Sequence, residues 1–178
     1  CTRHAALGCL QNEECMDQER VPYQSVLRAI GSYLDRHHAN FARVIEVPDG
    51  FSVQYYNHTD QPDIERVDFT YQELLERSRG TRLQPFIRRP ISGRRTHKGK
   101  PSYQNFLRAL GYELEDAGAF SILVDELDDG YLLTYQFYDP DSGFMLHKHR
   151  VALHADEAGR IVDVAAMRRG RFRRSKGA

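Results

Sequence analysis

Tryptophan is absent from the 178-residue chain, and cysteine is absent from everything after Met16. The three cysteines, Cys1, Cys9 and Cys15, all precede that methionine. The body of the chain therefore has no thiol for catalysis and no disulfide to staple it. A reducing compartment, the cytoplasm, fits that composition. No apolar run approaches the roughly 20 residues that span a bilayer, and residues 1–20 lack the apolar core of a secretory signal. A Gly-rich phosphate loop, a Gly-x-Ser-x-Gly turn and a His-Glu-x-x-His helix are also missing. Nothing in the motifs asks for a cofactor.

Residues 1–15 carry no helix or strand pattern. They read as an unstructured leader, with Met16 as the natural start. The alternative is a small zinc or disulfide knot, since Cys1, Cys9, Cys15 and His4 are chemically suitable ligands. Their spacing matches no compact zinc motif.

What is present is a repeat. Residues 23–35 align without gaps on residues 103–115, and seven of the thirteen positions are identical. In the first copy Tyr23, Val26, Leu27, Ile30 and Leu34 fall at helical spacing. Tyr103, Phe106, Leu107, Leu110 and Leu114 do the same in the second. Pro22 suits the first turn of one helix and Ser102 the N-cap of the other. Two β-rich runs follow each helix, around Asp49 and Gly50 and around Asp129 and Gly130. Asp-Gly between such runs predicts a tight hairpin with glycine at positive φ. A third strand is predicted at Arg66, Val67 and Phe69, matched by Arg150, Val151 and Leu153. Beyond it the copies diverge, into a helix over residues 71–78 and a short strand over residues 161–165.

The fold class is α+β: an internal duplication of an α-β-β-β unit, its antiparallel sheet or sheets covered by one amphipathic helix per unit. One sheet around a pseudo-twofold axis and two separate sheets packed by their helices both satisfy the pattern. The segments are a leader (1–15), the first unit with its short helix (16–79), a basic linker (80–100), the second unit (101–167) and a basic tail (168–178).

Charge is segregated under a formal net charge of zero. Residues 77–100 carry nine Arg or Lys and no Asp or Glu, and residues 168–178 carry six and none. Residues 16–76 sum to −6 and residues 101–167 to −8. The plain reading is a solvated linker and a frayed end. A second reading lays these arms on the acidic units. A third gives them nucleic acid, with Arg88, Arg89, Arg94, Arg95, Lys98, Arg168, Arg169, Arg171, Arg173 and Arg174 meeting phosphates and Phe86 and Phe172 stacking on bases. Ordering costs about 1–2 kcal/mol per residue against about 0–1 kcal/mol per exposed ion pair. The tail after Arg168 is therefore expected to be mobile, and the linker anchored only near Phe86 and Ile87.

Three side-chain groups are candidates for chemistry. His147 and His149 lie on one face of a strand, the parity of Val151 and Leu153, which predicts a covered face. Two such imidazoles with a carboxylate from Asp156 or Glu157 make a possible metal set. Asp125, Glu126, Asp128 and Asp129 cluster at the second hairpin, as a solvated acidic turn or as acid–base groups. Gln24 and Arg28, with Gln104 and Arg108, flank the apolar stripes beside Gly31 and Gly111. Either they pack the helices together, with Arg28 and Arg108 meeting Glu115 and Asp35, or they line an anion pocket. No complete catalytic set emerges. The functional expectation is a non-enzymatic interaction or regulatory module whose basic segments meet nucleic acid or an acidic protein. The alternative is a metal-dependent hydrolase using His147 and His149.

Overall fold

The computed structural model describes residues 21–57, 63–80, 99–139, 141–143 and 145–175, with side chains through residue 168. The leader, Phe86 and Ile87 lie outside the described residues. The first unit comprises α1 (Tyr23–Arg36), β1 (Asn40–Val47), β2 (Gly50–Tyr56), β3 (Ile64–Thr70) and α2 (Tyr71–Gly80). The second comprises α3 (Tyr103–Asp116), β4 (Phe120–Leu127), β5 (Gly130–Tyr138), β6 (Leu146–His154) and α4 (Ala155–Ser175).

The strands form one antiparallel sheet in the order β3-β2-β1-β4-β5-β6. Of the two arrangements open to the sequence, the shared sheet is the one adopted. At its centre Val44 faces Val124, flanked by Arg43 opposite Asp125 and Ile45 opposite Leu123. Val44 and Val124 are repeat counterparts, so the pseudo-twofold axis passes between them. Directly paired residues share a face of a sheet. One face therefore carries Val44, Phe51, Val53, Phe69, Val124, Tyr131 and Leu133, and these join the apolar stripes of α1 and α3 in a single core. Leu74 of α2 and Ala158, Val162 and Ala165 of α4 close the same core.

Both main helices end alike. Ala39 N–H donates to Leu34 O, and Ala119 N–H to Leu114 O. The residue that turns the chain there is left-handed, His38 (φ 52°) in one copy and Gly118 (φ 60°) in the other.

Three expectations need correction. Residues 161–165 are not a strand but part of α4. The β-branched side chains of Ile161, Val162 and Val164 suggest β structure, yet Ala158, Val162 and Ala165 fall at i, i+4 and i+7 and are buried. The unit is thus α-β-β-β-α in both copies. The tail after Arg168 is likewise helical as far as Ser175. Finally, neither Gly50 nor Gly130 takes a positive φ. Each is the first residue of its strand, opposite Thr70 or His154, and a Cβ on it would overlap the carbonyl of Phe69 or Leu153. Glycine is there so that the third strand can pass close and hand over to a helix. Tyr71 N–H and Ala155 N–H then bond to Asp49 O and Asp129 O at the turn.

Candidate functional site

The antiparallel helices α1 and α3 touch backbone to backbone. A Cβ on Gly31 would lie 2.5 Å from Tyr103 O and 2.6 Å from Gln104 Cα; one on Gly111 would lie 2.6 Å from Gln24 Cα. Gln104 and Arg108 are buried in this contact, and Arg28 donates to Ser78 O of α2. Asp35 and Glu115 both accept from backbone. Asp35 takes Tyr103 N–H (3.2 Å) and Gln104 N–H (3.1 Å), and Glu115 takes Gln24 N–H (2.6 Å). Each helix thus has its first turn capped by a carboxylate from the end of the other, where the helix dipole favours negative charge.

Glu115 carries a cost. Burial pushes its carboxyl above the ordinary carboxylate value, against the Gln24 N–H bond that pulls it down. A carboxyl with a raised folded pKa binds protons more readily in the folded chain, so its contribution to stability declines as pH rises through that window. Glu115→Gln keeps an acceptor for Gln24 and removes the charge. Thermal melting of the variant is expected to match the parent near about pH 3 and to exceed it near about pH 7. A lower melting point at neutral pH would show that the charge itself is needed as a cap.

A second reciprocal pair escaped the sequence reading. Glu46 and Glu126 lie on the covered face at equivalent places. Glu46 accepts Ile122 N–H of the second unit (2.9 Å), and Glu126 accepts Ala42 N–H of the first (3.0 Å). Both amides belong to bulges where Phe41 (φ 49°) and Ser121 (φ 56°) are left-handed and the ladder is broken. Glu46 also accepts from Tyr23 OH and Tyr71 OH, and Glu126 from Tyr103 OH and Lys100 Nζ. Burial, then the nearby carboxylates, raises the pKa of Tyr23, Tyr71 and Tyr103 and keeps their phenols protonated. The signal was a glutamate in both copies at the parity of Val44 and Val124.

His147 and His149 are exposed, not covered. His147 stacks on Phe137 (5.3 Å between centroids), and His149 lies 3.4 Å from Tyr135 OH. Parity named the right face, yet both side chains stay open to solvent on it. Glu157 accepts His154 N–H at the start of α4. Among the described residues no group of three or more His, Cys, Asp or Glu is placed to hold a metal ion. The acidic hairpin cluster is split: Asp125 pairs with Arg43 (2.9 Å) on the open face, Glu126 points into the core, and Asp129 meets His154 (3.4 Å).

Of the basic candidates, Arg168 is exposed and pairs with Glu113 and Asp116 at the end of α3, both at 3.1 Å. Arg169, Arg171, Arg173 and Arg174 lie on the helical backbone of α4, with side chains outside the described set. Arg88, Arg89, Arg94, Arg95 and Lys98 fall outside the described residues. Arg77 lies over the Phe69 ring (5.2 Å), and Lys100 is buried against Glu126. No helix among the described residues is long and apolar enough to cross a membrane.

The opposite face of the sheet carries no described helix. Ile45, Leu123 and Leu132 lie half-buried at its middle, among Arg43, Arg66, Asp68, Asp125, Lys148 and Arg150. The helix–strand architecture and its duplication are the class that these features define. No family model, no curated protein and no solved structure matches the chain.

Proposed function

We propose that the protein is a non-enzymatic interaction module that holds a polyanionic partner, nucleic acid or an acidic protein surface, through the basic segments joined to its duplicated sheet. One observation carries this reading. α4 runs from the core of the second unit into the basic tail as far as Ser175, and Arg168 is tied to α3. A polyanion approaching Arg169, Arg171, Arg173 and Arg174 then meets a helix anchored to the body. Ordering a residue costs about 1–2 kcal/mol, and for a segment already helical that cost does not fall on binding. Cations in the last turns of a helix also suit its dipole. The charges engaged inside the fold support the same reading from another side. Asp35, Glu46, Glu115, Glu126 and Lys100 are all engaged in joining helices to helices and strands to strands.

The test is filter binding of a random oligonucleotide and of an acidic polypeptide to the full chain, at about 50 and 200 mM salt. Released counterions make such binding fall steeply with salt, with a slope of about 0.7–0.9 per phosphate contact. The full-length variant with Arg169, Arg171, Arg173 and Arg174 all changed to Gln is expected to bind more weakly, with a smaller slope. Absence of binding to either polymer at the lower salt would overturn the proposal.

A further inference from the structure

We infer that one corner of the open sheet face, in the second unit, is a binding site for single-stranded nucleic acid, with bases stacking on the Phe120–Tyr138 pair and phosphates meeting Lys148 and Arg150. The inference rests on the polyanion reading and narrows it to a partner class and a place.

The corner is built by strand register. Phe120 is paired with Gln136 and Gln136 with Lys148, one row across the sheet; Tyr138 ends the next row, opposite Leu146. Phe120 and Tyr138 stack with centroids 5.2 Å apart, and Tyr138 is 56% exposed. An aromatic platform beside cations is what non-specific single-strand binding uses, because every base has a π-face and every nucleotide a phosphate. A duplex hides its bases and has no use for the platform.

The repeat supplies an internal comparison. The counterpart corner of the first unit has an aromatic pair too, Phe41 with Tyr56 at 6.3 Å, standing at the places of Ser121 and Gln136 rather than of Phe120 and Tyr138. There the place of Lys148 is taken by Ile64, opposite Tyr56, and the place of Arg150 by Arg66. Arg66 is paired with Asp68 at 3.3 Å. In the second unit the position of Asp68 is Ala152. Divergence has thus placed a lysine by one aromatic pair and removed the carboxylate that engages its arginine. Lys148 and Arg150 are both exposed. Asp139 and Asp141 bound the patch beyond Tyr138.

On the helix-bearing side of the sheet, Arg168 of α4 comes near this edge. Arg168 bonds to Asp116, and Phe120 follows Asp116 by four residues, a Cα separation of at most about 15 Å.

The experiment is anisotropy of a labelled oligo-thymidine of about 20 nucleotides, and of a duplex of equal length, on the full chain. Tyr138→Ala, Tyr56→Ala and the double variant Lys148→Gln/Arg150→Gln are measured beside the parent. All four side chains are exposed, and matching thermal melts confirm intact folding. The single strand is expected to bind several-fold more tightly than the duplex. Tyr138→Ala should lose on the order of 5- to 100-fold with an unchanged salt slope, because stacking releases no ions. The double variant should lose affinity and lower the slope by about 1.4. Tyr56→Ala should match the parent. Equal binding of duplex and single strand, or equal losses in Tyr56→Ala and Tyr138→Ala, overturns this inference and leaves the polyanion reading in place. So does binding of polyglutamate alone. Failure of every polyanion at low salt overturns both.

Discussion

Replacing Gly111 by Ala is expected to lower the unfolding free energy by about 2–3 kcal/mol, although Ala is the better helix former by about 1 kcal/mol. The new Cβ would lie 2.6 Å from Gln24 Cα and N and 2.8 Å from Tyr23 C. Carbon atoms in contact sit at about 3.5–4.0 Å, so α1 and α3 must part by about 1 Å. Backbone cannot swing aside as a side-chain tip can. Parting the helices lengthens the bonds from Glu115 to Gln24 N–H and from Asp35 to Tyr103 and Gln104 N–H. Gly31→Ala meets Tyr103 O and Gln104 in the mirror position and should cost a similar amount. The double variant should cost less than the sum, because helices already pushed apart by one methyl have room for the other. Urea denaturation of the four proteins measures this through the midpoint at constant m. A neutral or stabilising effect of either single change would show that backbone contact does not hold the helices.

The same glycines show how much was readable in advance. Gly31 and Gly111 recur at one place in a helix, and the apolar stripes and alternating strands predicted all five elements of the first unit and four of the five in the second. The seam was not readable. A strand alternating Ala42, Val44 and Glu46 on one face looks the same at an edge or at a centre, and β1 finds β4 only across the linker. The fifth element was misread in the second unit because Gly159 looked like a turn and Ile161, Val162 and Val164 like a strand. Yet a signal was present. Glu73 accepts Thr70 N–H before α2, and Glu157 accepts His154 N–H before α4. An acidic residue three positions into each segment is half of a capping box. For the candidate site, parity placed His147 and His149 on the helix-bearing face. It said nothing of how open that face is to solvent. The open-face corner was invisible for a similar reason: Phe120, Tyr138, Lys148 and Arg150 sit on three strands, and only their register brings them into adjacent rows.

Lys100→Met is expected to be the most damaging single change on the surface of the charge map, because Lys100 is not on the surface. The basic run over residues 77–100 suggested one more solvated linker cation. In the fold its side chain is 3% exposed and that of Glu126 is 5%. The ammonium lies 3.0 Å from Glu126 Oε1, donates to Leu127 O and sits 5.5 Å over the Tyr131 ring. Removing one member of a buried pair leaves the other charge uncompensated, at a cost of about 3–5 kcal/mol. Glu126 would keep only Tyr103 OH and Ala42 N–H among its described donors. Glu126→Gln should be comparably destabilising, since it strands the ammonium. The double variant Lys100→Met/Glu126→Gln should recover much of the loss, because neither charge is then buried and the Gln oxygen can still accept from the β1 bulge. Urea denaturation of the four proteins closes the cycle, and a loss below about 0.5 kcal/mol in Lys100→Met would contradict a buried pair. The same variant separates structure from function. A lysine buried against Glu126 and Leu127 is out of a phosphate's reach, so Lys100→Met, measured where it is still folded, should keep the parent's salt slope for oligonucleotide binding. A slope reduced by about 0.7–0.9 would return Lys100 to the basic arm and undo its assignment to the core.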